Sequence, residues 1–389
     1  MIDRIEIFVT ALSARLQRIF SSGSYDTGPA ERLLSKPVLV KVYADGVVGC
    51  AQIRPISPGH FVADTTQSVV AAIKEIYGPG LLGKSIFDIE AINEMFDNRL
   101  ANNPAARAVL DIAIRDAAGK ALDTPLYNLI GGCCQPRIPL EWSVSMADDV
   151  ATMVAEAKRA VEEFGIRVLC LKMADRRGWR QDVKNFEAVR KALGNEVMIG
   201  VDPNTGWTLA DALSAVRELK KLGLGYIEQP VARRDLKGMA EVRRAADGVP
   251  VMADEALFTL QDAYALAEAR AVDAFCIKLY KLGGITPAKK IAAVAEAANI
   301  QLNCGGLAVQ SQLEAAAGAH FYASTPISRT MGAAEFVFGL NATAKDPICP
   351  ESDFVVREGH VNVPRGPGLG IMIDEAALKK NTLLYERIG

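Results

Sequence analysis

The chain has 389 residues, half of them hydrophobic, and a formal net charge of −2. That length and apolar content fit two domains with a large buried core. The near-neutral charge gives no electrostatic basis for capture by nucleic acid or an anionic membrane. Seven cysteines, an odd number with no CxxC or zinc spacing and with Cys133 and Cys134 adjacent, fit a reducing compartment.

The N-terminus, MIDRIEIFVTAL, carries Asp3, Arg4 and Glu6 in strand-like alternation and does not read as a signal peptide. No apolar run approaches the ~18 residues of a membrane span. A cytoplasmic enzyme with no nucleic-acid or membrane partner is expected. Residues 1–55 predict an antiparallel meander, with Ile5, Ile7 and Val9 on one face. A polar, glycine-rich loop at 20–31 is a candidate lid, and a plain connector explains it equally well. The run PVLVKVYADGVVGCAQI predicts a hairpin turning at Asp45-Gly46. Residues 62–130 predict helices, with Asp64 as an N-cap and Ala106, Val109, Leu110, Ala113 and Ala117 on one packing face.

From Arg137 the texture changes to repeated strand–helix units. The strands are expected at 138–144, 167–173, 197–202, 224–228, 250–254, 273–278, 299–304 and 327–332, the last being the least regular. Parallel strands need helical crossovers, so eight such units predict a (β/α)8 barrel. The domains expected are an α+β cap over 1–132, a barrel over 133–352 and a segment over 353–389 that returns to the cap.

Five charged residues punctuate the barrel region. Lys172, Asp202, Glu228, Asp254 and Lys278 follow one another at intervals of 30, 26, 26 and 24 residues. Each closes a short apolar run, VLCLK, VMIGVD, LGYIE, VPVMAD and DAFCIK, at the barrel end where loops build active sites. One aspartate at a strand end usually caps a helix or joins a surface ion pair. Three carboxylates on consecutive strands repel one another unless a cation is shared, and all-oxygen ligation selects Mg2+ or Mn2+. Asn204 points to the same face. Lys172 and Lys278 fall four strands apart, on opposite walls, one on each side of a small-molecule carboxylate held at the ion. Burial and nearby cations are expected to lower a lysine toward a useful base, and the ion to stabilise the enediolate left by α-proton removal.

These residues resemble the enolase superfamily, specifically its muconate lactonizing enzyme (muconate cycloisomerase) subgroup. The similarity runs through ARAVLDIAIRDAAGKALDTPLYNLIGG, the VDPN and IEQP pair, MADE, IKLYKLGG and PRGPGLG. It implies a capping domain over a modified barrel, a homo-oligomer, and the lysine-with-Mg2+ chemistry of enolase-superfamily sites, which is the handed-down description of that superfamily. Asp202, Glu228 and Asp254 match its metal ligands, Lys172 the second lysine of its K-x-K motif, and Lys278 the sixth-strand lysine. Glu255 matches an acidic neighbour, with Ala256 where the motif has serine. Asn303 and Glu335 lie near the strand ends that contact substrate. The first K-x-K lysine is Cys170 here, one positive charge fewer beside Lys172, and a buried barrel-filling thiol explains that cysteine better than a reactive one. Asn303 stands where a histidine base would identify the mandelate racemase type. An Mg2+-dependent isomerase is therefore expected, a cycloisomerase or an epimerase or racemase. A lyase dehydrating a β-hydroxy acid and a non-catalytic binding protein on the same fold are the alternatives.

Overall fold

The computed structural model describes residues 1–12, 17–21, 23–26, 36–55, 63–306 and 311–389. Strand β1 (Ile2–Thr10) buries Ile5, Ile7 and Val9 as its alternation requires. It lies in an antiparallel sheet of order β15-β1-β4-β5, with β4 at Val38–Ala44, β5 at Val47–Ile53 and β15 at Thr382–Ile388. The β4–β5 turn is Asp45-Gly46, both at positive φ (48° and 83°), the conformation a tight two-residue hairpin demands. Strands β2 (Gln17–Phe20) and β3 (Gly23–Asp26) form a separate ribbon. Residue 22 and residues 27–31 of the expected 20–31 loop lie outside the described residues.

The helix Pro104–Ala121 is buried around most of its circumference, including all five residues of its expected packing face. Its small side chains let β5 cross at backbone distance. A Cβ on Gly49 would stand 2.0 Å from the Ala113 carbonyl oxygen and 2.6 Å from the Ala117 nitrogen. Asp64 does not cap the helix that follows it. Thr65 takes that place through a reciprocal pair with Ser68, at 2.8 and 3.1 Å. The Asp64 carboxylate instead accepts from Ala105 N at 3.0 Å, satisfying a free donor at the start of the long helix. The same helix caps a barrel helix: Asp111 accepts from Ile285 N (2.8 Å) and Thr286 N (3.2 Å), where Gly284 offers no side chain.

Seven parallel strands follow in spatial order β7 to β13: Glu141–Val144, Val168–Lys172, Met198–Asp202, Ile227–Glu228, Val251–Ala253, Ala274–Ile277 and Gln301–Cys304. Sequence order equals spatial order because each strand is returned by a crossover helix. The eighth strand expected at 327–332 is absent. Ile327–Arg329 is a 3-10 turn, and the ring closes through single parallel bridges, Leu302 to Thr330 and Leu140 to Ala334. The physical reason is local. Gly332 has φ 67°, which breaks the extended run, and the Asn303 amide donates to the Met331 and Ala333 carbonyls (3.1 and 3.0 Å) in place of a ladder. The bore is packed with Cys170, Tyr226, Met252, Ala274, Cys276 and Met331.

The last segment crosses back to the first sheet. Strand β14 (His360–Asn362) pairs with β6 (Arg137–Pro139), and β15 pairs with β1. No helix among the described residues is long and apolar enough to cross a membrane.

Gly49→Ala should cost about 3 kcal/mol or more in chemical denaturation, because the clash is with backbone that cannot rotate away. His320 supplies a pH test. It is fully buried, accepts from Tyr127 N at Nδ1 (3.2 Å) and meets the Leu369 carbonyl at Nε2 (3.1 Å), and burial pushes it down to about 4. The unfolded imidazole binds a proton near pH 6.5 and the folded one does not until about 4. Its contribution is therefore intact above pH 6.5 and is lost as pH falls toward 4, by up to about 3 kcal/mol. Denaturation midpoints across that window should fall less steeply in His320→Gln.

Candidate active site

The five evenly spaced charges come together. Lys172 ends β8 and Asp202 ends the paired strand β9, in register, and their side chains form a buried ion pair. Glu228 ends β10. Asp254 follows β11, and Lys278 follows β12 and bonds Asp254 Oδ2 at 2.7 Å. Lys278 Nζ also lies 3.6 Å from Glu228 Oε1 and 3.7 Å from Glu335 Oε2. The strand order thus sets three carboxylates between two ammonium groups.

Around this line the sequence-expected neighbours take definite places. Asn204, at φ 45°, turns its backbone N–H to Asp202 Oδ1 (2.7 Å) and its amide to Asp202 Oδ2 (2.8 Å) and Glu255 Oε1 (3.2 Å). Glu335 is buried beside Lys278. Asn303 spends its amide donors on the irregular eighth stave. The β2–β3 ribbon reaches this end of the barrel. Ser21 Oγ donates to the Asn204 carbonyl (3.0 Å), and the Phe20 ring lies 5.6 Å from Lys172 Nζ.

Some groups carry no sequence-level assignment. Lys281 is buried and donates to the Asp254 carboxylate and carbonyl. Gln229 accepts from Asp254 N (3.1 Å) and Ala256 N (3.0 Å), fixing the chain where β11 ends. Both lay within the quoted IEQP and IKLYKLGG runs. Glu141, at the start of β7, is fully buried, with Tyr226 and Glu335 as its polar neighbours. Its signal was a charge inside an otherwise apolar strand, PLEWSV.

The electrostatics of the protein groups alone run opposite to the expected lowering of the lysines. Burial disfavours the ammonium forms of Lys172 and Lys278, but Asp202 and Asp254 outweigh it and hold both lysines well above their ordinary range. With protein groups alone they are counter-ions. Burial likewise disfavours the Asp254 carboxylate, yet Lys278 and Lys281 hold that group well below the usual range. Glu228 goes the other way, pushed well up by burial and by Asp202 and Glu335, with Lys278 and Lys172 opposing. Burial also pushes Glu141 and Glu335 up to about 7.

A divalent cation answers this arrangement. Ligand atoms of Cys170, Asp202 and Glu228 lie within 4.8 Å of one another, as do those of Glu228, Asp254 and Cys276, so Glu228 is common to both sets. Glu228 Oε1 has no hydrogen bond among the described residues. Burial pushes both thiols well above their ordinary range, leaving them protonated and the carboxylates as donors. Hard oxygen donors fit Mg2+ or Mn2+.

Comparison with known proteins agrees with this geometry. Residues 32–131 match the family described as mandelate racemase / muconate lactonizing enzyme, N-terminal domain, and residues 152–377 match the enolase C-terminal domain-like family. The chain is 33% identical to N-succinyl-L-Arg/Lys racemase of Bacillus cereus, over 99% of each chain. It is 30% identical to chloromuconate cycloisomerase CbnB of Cupriavidus necator, over 89% of this chain and 91% of that one. The structure of a dipeptide epimerase from Cytophaga hutchinsonii, complexed with Mg and D-Ala-L-Val, superimposes with TM-score 0.88 at 25% identity, covering 100% of both chains.

Gln229→Leu should weaken Mg2+ or Mn2+ binding about tenfold or more in calorimetric titration while the protein stays folded, because groups that orient ligands are worth that much. An unchanged affinity would remove Gln229 from that role.

Proposed function

The chain belongs to the mandelate racemase/muconate lactonizing enzyme family of the enolase superfamily, and from that premise we propose that it is an Mg2+-dependent isomerase that moves the α-proton of a small carboxylate substrate. The observation that carries the reading is the ordered row of lysine, three acids and lysine across five adjacent strand ends. A cap ribbon lies over one end of it.

In this reading Asp202, Glu228 and Asp254 hold the ion, with Asn204, Gln229 and Lys281 fixing their orientation. When bound, the ion supplies positive charge beside the substrate carboxylate and lowers the cost of the charge that develops as the α-proton leaves. Lys172 and Lys278 move the proton, each facing the α-carbon from its own side. Their pairing with Asp202 and Asp254 ties base strength to cation binding, since an ion that engages those carboxylates withdraws the counter-charges holding the ammonium protons. Phe20 and Ser21 help exclude water from the Lys172 side. Two lysines on opposed walls suit proton removal from one face and return to the other, which is racemisation or epimerisation. Cycloisomerisation needs the same set with one lysine delivering the proton.

Incubation with Mg2+ in heavy water and a library of amino-acid derivatives, dipeptides, hydroxy acids and muconates tests the proposal. Deuterium should enter an α-position in at least one member, and no exchange across the library would favour a binding protein. With an exchanging substrate, Lys172→Ala and Lys278→Ala should each abolish exchange from one stereoisomer. Wild-type rates in both would overturn the base assignment. Asp202→Asn should lower metal affinity at least tenfold, a larger effect than its effect on stability.

A further inference from the structure

The β2–β3 ribbon is fastened to the barrel by one buried charge. A two-stranded ribbon is at best marginally stable by itself, so what docks it decides where it sits. Arg18, on β2, is buried. Its guanidinium donates to Glu156 Oε1 at 2.9 Å and to the Ser143 carbonyl, and it lies 4.8 Å from the centre of the Phe338 ring.

The receiving end is built by the barrel. Glu156, on the helix Val150–Glu162, also accepts from the Trp142 indole at Oε1 (3.0 Å) and from Ser145 N at Oε2 (3.0 Å). Trp142 is itself held by Phe164 and Phe338, with ring centres 5.2 and 5.1 Å away. The carboxylate is therefore aimed by barrel groups, and removal of Arg18 leaves it with both of those donors. Ile19 adds two attachments at the same place. Its N–H donates to Ser145 Oγ (2.8 Å), and its carbonyl accepts from Met146 N (3.2 Å).

Strand periodicity carries this docking to the reacting groups. Residues two apart on a strand share a face. The side of β2 that delivers Arg18 to Glu156 thus also delivers Phe20, whose ring lies 5.6 Å from Lys172 Nζ, while Ile19 is exposed. Ser21 continues the run with its bond to the Asn204 carbonyl. The hydrogen-bond partners Ser143, Ser145, Met146, Glu156 and Asn204 belong to the first three strand–helix units, whereas Lys278 follows the sixth strand. The fastening is one-sided.

We propose that Arg18 is a positioning residue and Glu156 its socket: the pair seats Phe20 over Lys172 and so governs access to one flank of the site, independently of Lys278. The consequence for proton transfer rests on the isomerase reading above. The seating itself does not.

Amine labelling tests the seating without any substrate. The Mg2+-loaded protein is treated with methyl acetimidate, and amidination of Lys172 and Lys278 is followed by peptide mass spectrometry. Arg18→Met, which keeps an apolar stem and removes the donors, should raise the Lys172 rate about tenfold or more, the shift in a docking equilibrium that loss of a charge-assisted bond produces. The Lys278 rate should not change. Arg18→Lys, which still donates to Glu156, should restore most of the protection, and Phe20→Ala should reproduce Arg18→Met. The inference is overturned if the Lys172 rate does not rise in Arg18→Met, if both lysines rise together, or if Phe20→Ala leaves Lys172 as protected as in the wild type. Glu156→Gln carries the same comparison where Arg18→Met fails to fold. With an exchanging substrate in heavy water, Arg18→Met should slow deuterium entry from one stereoisomer more than from the other, and Arg18→Lys should restore the balance. Equal slowing of both would overturn the one-sided role. Selective labelling of Lys172 without exchange in any substrate keeps the seating and sinks the proton-transfer reading, and exchange without selective labelling does the reverse.

Discussion

Mutual repulsion among buried carboxylates is the constraint that organises this protein. Asp202, Glu228 and Asp254 stand on adjacent strand ends out of contact with bulk water. Such groups tolerate one another only when cations are threaded among them. Lys172, Lys278 and Lys281 supply part of that positive charge, each aimed at one of the acids. Protonation of Glu228, pushed well up by burial and its acidic neighbours, or a bound cation would supply the rest. Affinity for a cation and the preparation of the lysines are thus one electrostatic problem.

The scaffold turns that problem into fixed geometry. Parallel strands in sequence order place consecutive chain segments side by side, so a charge repeated once per strand–helix unit becomes a row in space. The long helix Pro104–Ala121 then ties the cap to the barrel. Asp111 reaches into the start of one barrel helix, and Asp116 accepts from Cys50 N (2.7 Å) on β5 and Leu369 N (2.6 Å) on the C-terminal segment. Three distant stretches of chain are fastened to one rigid element.

Most of the fold and the central row were legible in the sequence because both rest on period. Strand spacing, alternation in β1 and the Asp45-Gly46 turn are local signals that the structure reproduces. What escaped was set by three-dimensional neighbours. Asp64 read as a cap for its own helix and caps another, because Thr65 competes successfully for the nearer site. Lys281 and Gln229 gain meaning only through Asp254, 27 and 25 residues away. The raised lysines follow from ion pairs whose partners sit one strand over. Glu141 drew no assignment in the sequence, since its burial beside Tyr226 and Glu335 is set by other strands.

The irregular eighth stave has its own consequence. Asp202 closes a ladder that keeps register with β8 over five residue pairs, so moving it drags Lys172 along. Glu335 follows a stave joined to its neighbours by isolated bridges at Thr330 and Ala334 and by single bonds such as Glu335 N to the Cys304 carbonyl at 2.9 Å. An exchange of residues on that last stave can therefore reshape the wall beside Lys278 while the register that pairs Lys172 with Asp202 stays where it is.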